Sequence, residues 1–189
     1  MTEYFAHHTG SKGKEVMLIF NKDLAVCPLT THLPLKKIFK KITKKKIFKQ
    51  IDTIDKFYKY YFKKKVKIGM TGLNPHCETV DKFSEDEKIL MPAVKKLKTK
   101  GVNIQGPYAA DTIFLKNNLK KFDVVFGMYH DQVLTPMKTL YGFNAINVTL
   151  GLPFLRITPD HGTNNRMIGK NLSNPNSLIE AINFAKKIN

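Results

Sequence analysis

Tryptophan is absent, cysteine occurs twice, and 15 acidic residues face 32 basic ones. Each shortage removes a class of reading. Two thiols, Cys27 and Cys77, are too few for a disulfide-stapled scaffold and read as free cysteines. Arg156 and Arg166 are the only guanidinium groups. That scarcity argues against specific nucleic-acid readout and leaves weak, salt-sensitive adsorption as the basic residues' nucleic-acid behaviour. No apolar run reaches the length of a membrane span, and Met1-Thr2-Glu3-Tyr4-Phe5 lacks the basic-then-apolar order of a secretion signal. The expectation is therefore a cytoplasmic protein with no membrane partner. Gly-x-Gly-x-x-Gly is missing too, which argues against a simple Rossmann domain but not against a nicotinamide cofactor held another way.

What is present is a 189-residue chain with 42% hydrophobic residues, enough for one sizeable core, and a net charge of +17. Much of that charge lies in Lys36-Lys37, Lys40-Lys41, Lys44-Lys45-Lys46 and Lys63-Lys64-Lys65. Between these lysines, Leu35, Ile38, Phe39 and Ile42, then Ile47, Ile51, Ile54, Phe57, Tyr58 and Tyr61, recur at helical spacing. The lysines then form the solvated face of a helical stretch over Pro34 to Phe62, broken where the apolar stripe slips between Thr43 and Lys46.

The remaining chain alternates strand and helix. Glu15 to Phe20 and Leu24 to Leu29 read as a hairpin or as two adjacent strands about Asn21-Lys22-Asp23. Val66 to Met70, Val102 to Ile104, Phe122 to Met128 and Asn144 to Leu150 read as further strands. One helix starts near Ser84, where Ser84 and Glu87 have capping-box spacing and Glu85 and Asp86 suit the positive helix end; Pro92 kinks it and Gly101 stops it. A second covers Asp131 to Leu140. A last helix starts at Ser177 with Glu180 as its capping partner. The stretch Asp160-His161-Gly162, extended by Asn164, Asn165 and Gly169, reads as loop. His7 and His8 look like solvent-facing helix residues.

Three histidines stand in rigid local phrases: Thr31-His32-Leu33-Pro34, Gly72-Leu73-Asn74-Pro75-His76 and Met128-Tyr129-His130-Asp131-Gln132. Neutral imidazole is a good ligand for divalent metals, and Pro, Asn and Asp mark turns where a side chain is aimed. The three lie far apart in sequence, so only the fold can assemble them into one site. Taken singly, each is better explained as an ordinary surface or hydrogen-bonded histidine.

Those phrases, together with Gly106-Pro107, Ala110-Asp111-Thr112, Asn147-Val148-Thr149-Leu150-Gly151-Leu152-Pro153-Phe154, Arg156 and Asp160-His161-Gly162-Thr163, resemble in order the 4-hydroxythreonine-4-phosphate dehydrogenase family of pyridoxal phosphate biosynthesis. The resemblance covers nearly the whole chain. It implies an α/β fold of the isocitrate/isopropylmalate dehydrogenase type. Residues 1–170 correspond to the central metal- and substrate-binding, dimerising domain, and residues 171–189 to a C-terminal helix that packs on the first domain.

The resemblance also implies chemistry. Residues matching His32, His76 and His130 bind one divalent metal, zinc first with cobalt or magnesium as other candidates, the third ligand coming from the partner subunit of a homodimer. Residues matching Thr2, Lys138, Asn147 and Arg156 contact the phosphorylated substrate. Lys138, Asp111 and Asp131 are the catalytic candidates, the two aspartates orienting a histidine or the substrate ammonium. A cap or turn role for either aspartate, and a surface ion pair for Lys138 or Arg156, remain alternatives. His161 is a further candidate to touch the cofactor. The family reaction oxidises 4-phosphohydroxy-L-threonine with NAD and releases carbon dioxide, giving 3-amino-2-oxopropyl phosphate; which residues hold NAD is open.

Two departures stand out. The family begins upstream of Met1, whose position matches a substrate-contacting histidine, so the expectation is an N-terminally truncated chain whose last helix lacks its packing partner. After His76, Cys77-Glu78-Thr79-Val80 replaces a more glycine-rich continuation. Three outcomes follow. The chain is an active dehydrogenase, with the absent half supplied by a separate polypeptide. It is an inactive or incomplete fragment that dimerises and binds metal. Or it is a basic nucleic-acid-associated module. A dehydrogenase acting on another phosphorylated hydroxy acid is a variant of the first. Turnover, metal binding without NADH formation, and steep salt dependence of DNA affinity separate them.

Overall fold

The computed structural model describes residues 2–78, 83–162 and 165–188. The sequence features noted at Met1, Thr79-Val80, Thr163 and Asn164 lie outside these. A seven-stranded sheet organises the chain: β1 Val16–Phe20, β2 Ala25–Thr30, β3 Ile68–Thr71, β4 Ile104–Tyr108, β5 Val124–Tyr129, β6 Ile146–Leu150 and β7 Arg156–Pro159, in spatial order β4-β3-β5-β2-β1-β6-β7. The first four in that order run parallel, and β1, β6 and β7 add antiparallel pairings. Among the described residues, eight α-helical segments accompany the sheet: α1 Thr2–His8, α2 Leu35–Ile38, α3 Lys44–Phe62, α4 Met91–Thr99, α5 Ala110–Ile113, α6 Lys116–Leu119, α7 His130–Tyr141 and α8 Asn176–Ile188.

Alternation along the strands sends side chains to two faces. Leu18, Cys27, Phe126 and Met128 point to one, where α3, α4 and α8 cover them with Ile47, Ile51, Ile54, Val94 and Phe184. Ile19, Val26 and Val125 point to the other, under Val133, Leu134 and Met137 of α7. Apart from half-buried Lys46, the lysines of α3 stay on the solvent side, and two of them pair along the helix, Lys56 with Asp52 at 2.7 Å and Lys59 with Asp55 at 2.5 Å.

Several expected boundaries move for identifiable reasons. The Lys-rich helix breaks at Ile42-Thr43, where extended Thr43 caps α3 by accepting the Lys46 N–H at 3.2 Å. Strand β4 continues through Gly106-Pro107 instead of ending before it. It is an edge strand, where a residue without an N–H is tolerated. Five residues of wider π-helical winding, Asp86–Leu90, bring Pro92 into the first turn of α4, and Gly101 ends the helix with φ +81°. Strand β7 was not anticipated: Arg-Ile-Thr-Pro is short and proline-ended, and pairing with β6 recruits it. Ser177 is not the cap of α8. Its hydroxyl donates to Ala145 O at 2.6 Å and accepts from Asp160 N at 2.8 Å, tying the helix to the ends of β6 and β7. Helix α8 buries Ala181 and Phe184 against the sheet and exposes Leu178, Ile179 and Ile182.

Both cysteines are free and buried, and burial pushes the Cys27 thiol far above its ordinary value. A raised pKa keeps the reactive thiolate scarce in the folded chain, so at mildly alkaline pH Cys27 should react with a thiol reagent only as fast as the protein unfolds. Ile51, fully buried on α3, gives a second check. Ile51→Ala should cost about 2–5 kcal/mol in urea unfolding, and replacing a solvent-facing lysine of the same helix should cost little.

Candidate active site

The three parallel strands β3, β5 and β2 are neighbours in the sheet, and each is followed at its C-terminal end by one of the three histidines. This is the edge where open α/β sheets build their sites. His32 lies two residues beyond β2, and His130 is the first residue of α7 directly after β5. Their rings approach to 5.8 Å between centroids. His130 Nδ1 lies 2.7 Å from Asp131 Oδ1, a contact that orients the ring and leaves Nε2 free of it. His32 Nδ1 is 3.8 Å from Glu3 Oε1.

His76 occupies a left-handed conformation, φ 55°, within the short 3-10 turn Pro75–Cys77 after β3. It makes no ring contact with the other two. Among the described residues, no group of three or more His, Cys, Asp or Glu side chains is drawn together closely enough to hold a metal ion. A single chain therefore pairs His32 with His130 and holds His76 apart.

An open cleft of about 650 Å³ runs from this pair, lined by His32, His130, Lys138, Asn147, Asp160 and His161 among others. Lys138 donates to the Asp160 carbonyl and sits 2.7 Å from Asp160 Oδ2 without hydrogen-bond geometry. Asn147, on β6, directs a buried Oδ1 that has no hydrogen-bond partner. His161 Nδ1 is 3.1 Å from the carbonyl of Gly162.

The other expected site residues fall around this cleft and not within it. Arg156 opens β7 opposite Thr149, donating to its Oγ1 at 3.3 Å, with the guanidinium 5.8 Å over the Phe5 ring. Thr2 shares with His32 a separate cavity of about 230 Å³ that also includes Lys46. Burial holds the Lys46 ammonium below the ordinary lysine value. Asp111 lies in α5 after β4, close enough to Cys77 for its charge to help raise that thiol, so it belongs with the His76 turn and not with the His32–His130 pair.

Three residues that hold the site have no site role in the sequence reading. Asp86 is fully buried, and its carboxylate accepts from Leu73 N at 2.8 Å, Asn74 N at 3.0 Å and Asn74 Nδ2 at 2.8 Å, fixing the loop that leads to His76. Next to Glu85 and Glu87 it looks like one more helix-start acid, so nothing in its spacing marks it. Gly72 must lack a side chain here, because a Cβ would stand 2.6 Å from Cys77 Sγ and 2.8 Å from Asp86 Oδ1. Gln132 bridges the β3 and β5 ends. Its place in the His130 phrase was the available signal.

A family model described as "Pyridoxal phosphate biosynthetic protein PdxA" matches residues 1–185. The chain belongs to that family. It is 43% identical over 186 residues to the 4-hydroxythreonine-4-phosphate dehydrogenase of Sulfurihydrogenibium sp., covering 97% of this chain and 57% of that protein. It is 39% identical to the same-named protein of Xanthobacter autotrophicus, covering 99% and 55%. The crystal structure of 4-hydroxythreonine-4-phosphate dehydrogenase from Klebsiella pneumoniae superposes with a TM-score of 0.84 at 32% identity, over 100% of this chain and 57% of that one. A terephthalate 1,2-cis-dihydrodiol dehydrogenase from Burkholderia xenovorans shares the fold, with a TM-score of 0.77 at 24% identity. This PdxA-family chain thus spans somewhat over half the length of the curated relatives it matches, and its α/β fold is of the isocitrate/isopropylmalate dehydrogenase type.

The buried carboxylate gives a direct check on the loop. Asp86→Ala leaves the Leu73 and Asn74 donors without an acceptor and should cost about 1–3 kcal/mol for each one that stays buried, read by urea unfolding. Asp86→Asn, which keeps one acceptor oxygen, should lose less.

Proposed function

We propose that the chain acts in an NAD-linked oxidative decarboxylation of 4-phosphohydroxy-L-threonine, giving 3-amino-2-oxopropyl phosphate for pyridoxal phosphate biosynthesis. In this reading a homodimer shares each site: His32 and His130 of one copy and His76 of the other hold a divalent cation, zinc first. The observation that carries it is the His32–His130 pair at the mouth of a cleft that also contains Lys138 and Asn147, in a chain 43% identical to a protein named for this activity.

The donor set suits such an ion. Metal–nitrogen bonds of about 2.0 Å put the centroids of two imidazoles sharing one tetrahedral cation about 5–6 Å apart, and the observed separation is 5.8 Å. Asp131 supplies the carboxylate that commonly fixes the far nitrogen of a ligating histidine. His76, followed by Cys77 on a turn braced by Asp86, faces outward at the same sheet edge and is available to a second copy. Its separation from the other two histidines within one chain is what a shared site requires.

A bound cation would supply Lewis acidity for the substrate's secondary hydroxyl and for the loss of carbon dioxide, and a nicotinamide would supply the two-electron oxidising equivalent. The chain's own residues do the rest. Lys138, 39% exposed and turned toward Asp160, presents an ammonium to the cleft where it binds the anionic substrate or hands a proton to the carbon from which carbon dioxide departs. Asn147 has an unengaged amide oxygen for a substrate hydroxyl or ammonium. Arg156, outside the cleft, supplies the guanidinium for a phosphate, replacing its bond to Thr149 with a forked pair. Thr2 approaches from the side of His32.

Subunit sharing is tested by mixing two defective variants. His76→Ala and His130→Ala should each bind cobalt more weakly, through one fewer histidine, and form no NADH. Co-refolded hybrids should regain one intact site per mixed dimer, about a quarter of the wild-type sites overall. No recovery in the mixture, with both variants folded and dimeric, contradicts a shared site.

A further inference from the structure

Ladder pairing between β3 and β5 ends at Met70 opposite Phe126, yet both histidine turns lie beyond that point. The junction past the last rung is made by one side chain. Gln132 Oε1 accepts from Met128 N at 2.7 Å and from Thr71 Oγ1 at 2.8 Å, and its Nε2 donates to Gly72 O at 2.7 Å. The amide thus acts as a substitute rung, joining the end of β5 to the end of β3 where backbone pairing has stopped. Thr71 is fully buried, so its hydroxyl has no water to turn to. Gly127 makes the space: a Cβ there would lie 2.3 Å from Val133 Cγ1 and 3.1 Å from Gln132 Oε1.

We infer that Gln132 is a positioning residue that sets the spacing between the His130 turn and the loop delivering His76. The consequence for metal binding rests on the shared-site reading above. If His76 serves the other copy, this amide joins a ligand of one site to the arm that completes the second. Gln132 touches neither imidazole, so its effect passes through the backbone at Met128 and Gly72.

The test compares wild type, Gln132→Leu and Gln132→Glu in the full chain, with cobalt(II) as the probe and two readouts. Visible d–d absorption reports cobalt affinity and ligand geometry, and hydrogen exchange reports the mobility of residues 70–78 against β6 as an internal reference. Gln132→Leu should weaken cobalt binding by about 10–100-fold, alter the d–d spectrum, and speed exchange in 70–78 while β6 is unchanged. Gln132→Glu, which keeps both accepting interactions and loses only the donation to Gly72, should fall between the two. Wild-type cobalt affinity and wild-type exchange in a folded Gln132→Leu protein overturn the inference. Should the wild type itself bind no cobalt, the shared-site reading fails, and the exchange data still decide Gln132: local acceleration in 70–78 supports it, and no change overturns it.

Discussion

Hydrogen bonding of three parallel strands in the order β3-β5-β2 is the constraint on which the site depends. Parallel neighbours end on the same edge, so residues more than 40 positions apart in sequence arrive within a few strand spacings of each other. His32 and His130 inherit their proximity from that arrangement, and His76 its place on the same edge of the sheet. No local motif could provide it. The interior strands are buried on both faces, and their apolar packing under α3, α4 and α7 holds the edge still.

Beyond the ends of the strands, buried polar side chains take over from the ladder. Asp86 satisfies the amides of the His76 loop, Gln132 spans β5 and β3, and Ser177 ties α8 to Ala145 and Asp160. In each case a side chain does what a missing backbone partner would have done, and the penalty for leaving such groups unpaired makes the turns well defined. Two polar side chains lining the cleft differ in the same terms. Lys138 is already engaged by Asp160, whereas Asn147 keeps a buried oxygen unengaged.

Much of the fold was legible because periodicity reports burial directly. Ile47, Ile51 and Ile54 mark the inner face of α3, and the strands expected at Leu24 to Leu29 and Phe122 to Met128 form as β2 Ala25–Thr30 and β5 Val124–Tyr129. What escaped was set by tertiary context. Strand β7 exists because β6 offers an open edge, β4 runs through a proline because it is itself an edge, and Ser177 leaves its own helix for a distant carbonyl. At the site, the histidines stood out through their rigid phrases. Which of them share a chain's cleft did not, since that depends on the sheet order and on the outward turn at His76. Asp86 was hidden among acids of its own kind, while Asp111, also exposed to a motif reading, proved to lie on the His76 side.

X-ray absorption at the zinc edge of the metal-loaded dimer addresses the central claim most directly. Three imidazole nitrogens at about 2.0 Å, falling to two in a His76→Ala dimer, are the predicted result. A wild-type ion bound by oxygen ligands alone, or a histidine count that His76→Ala leaves unchanged, would contradict it.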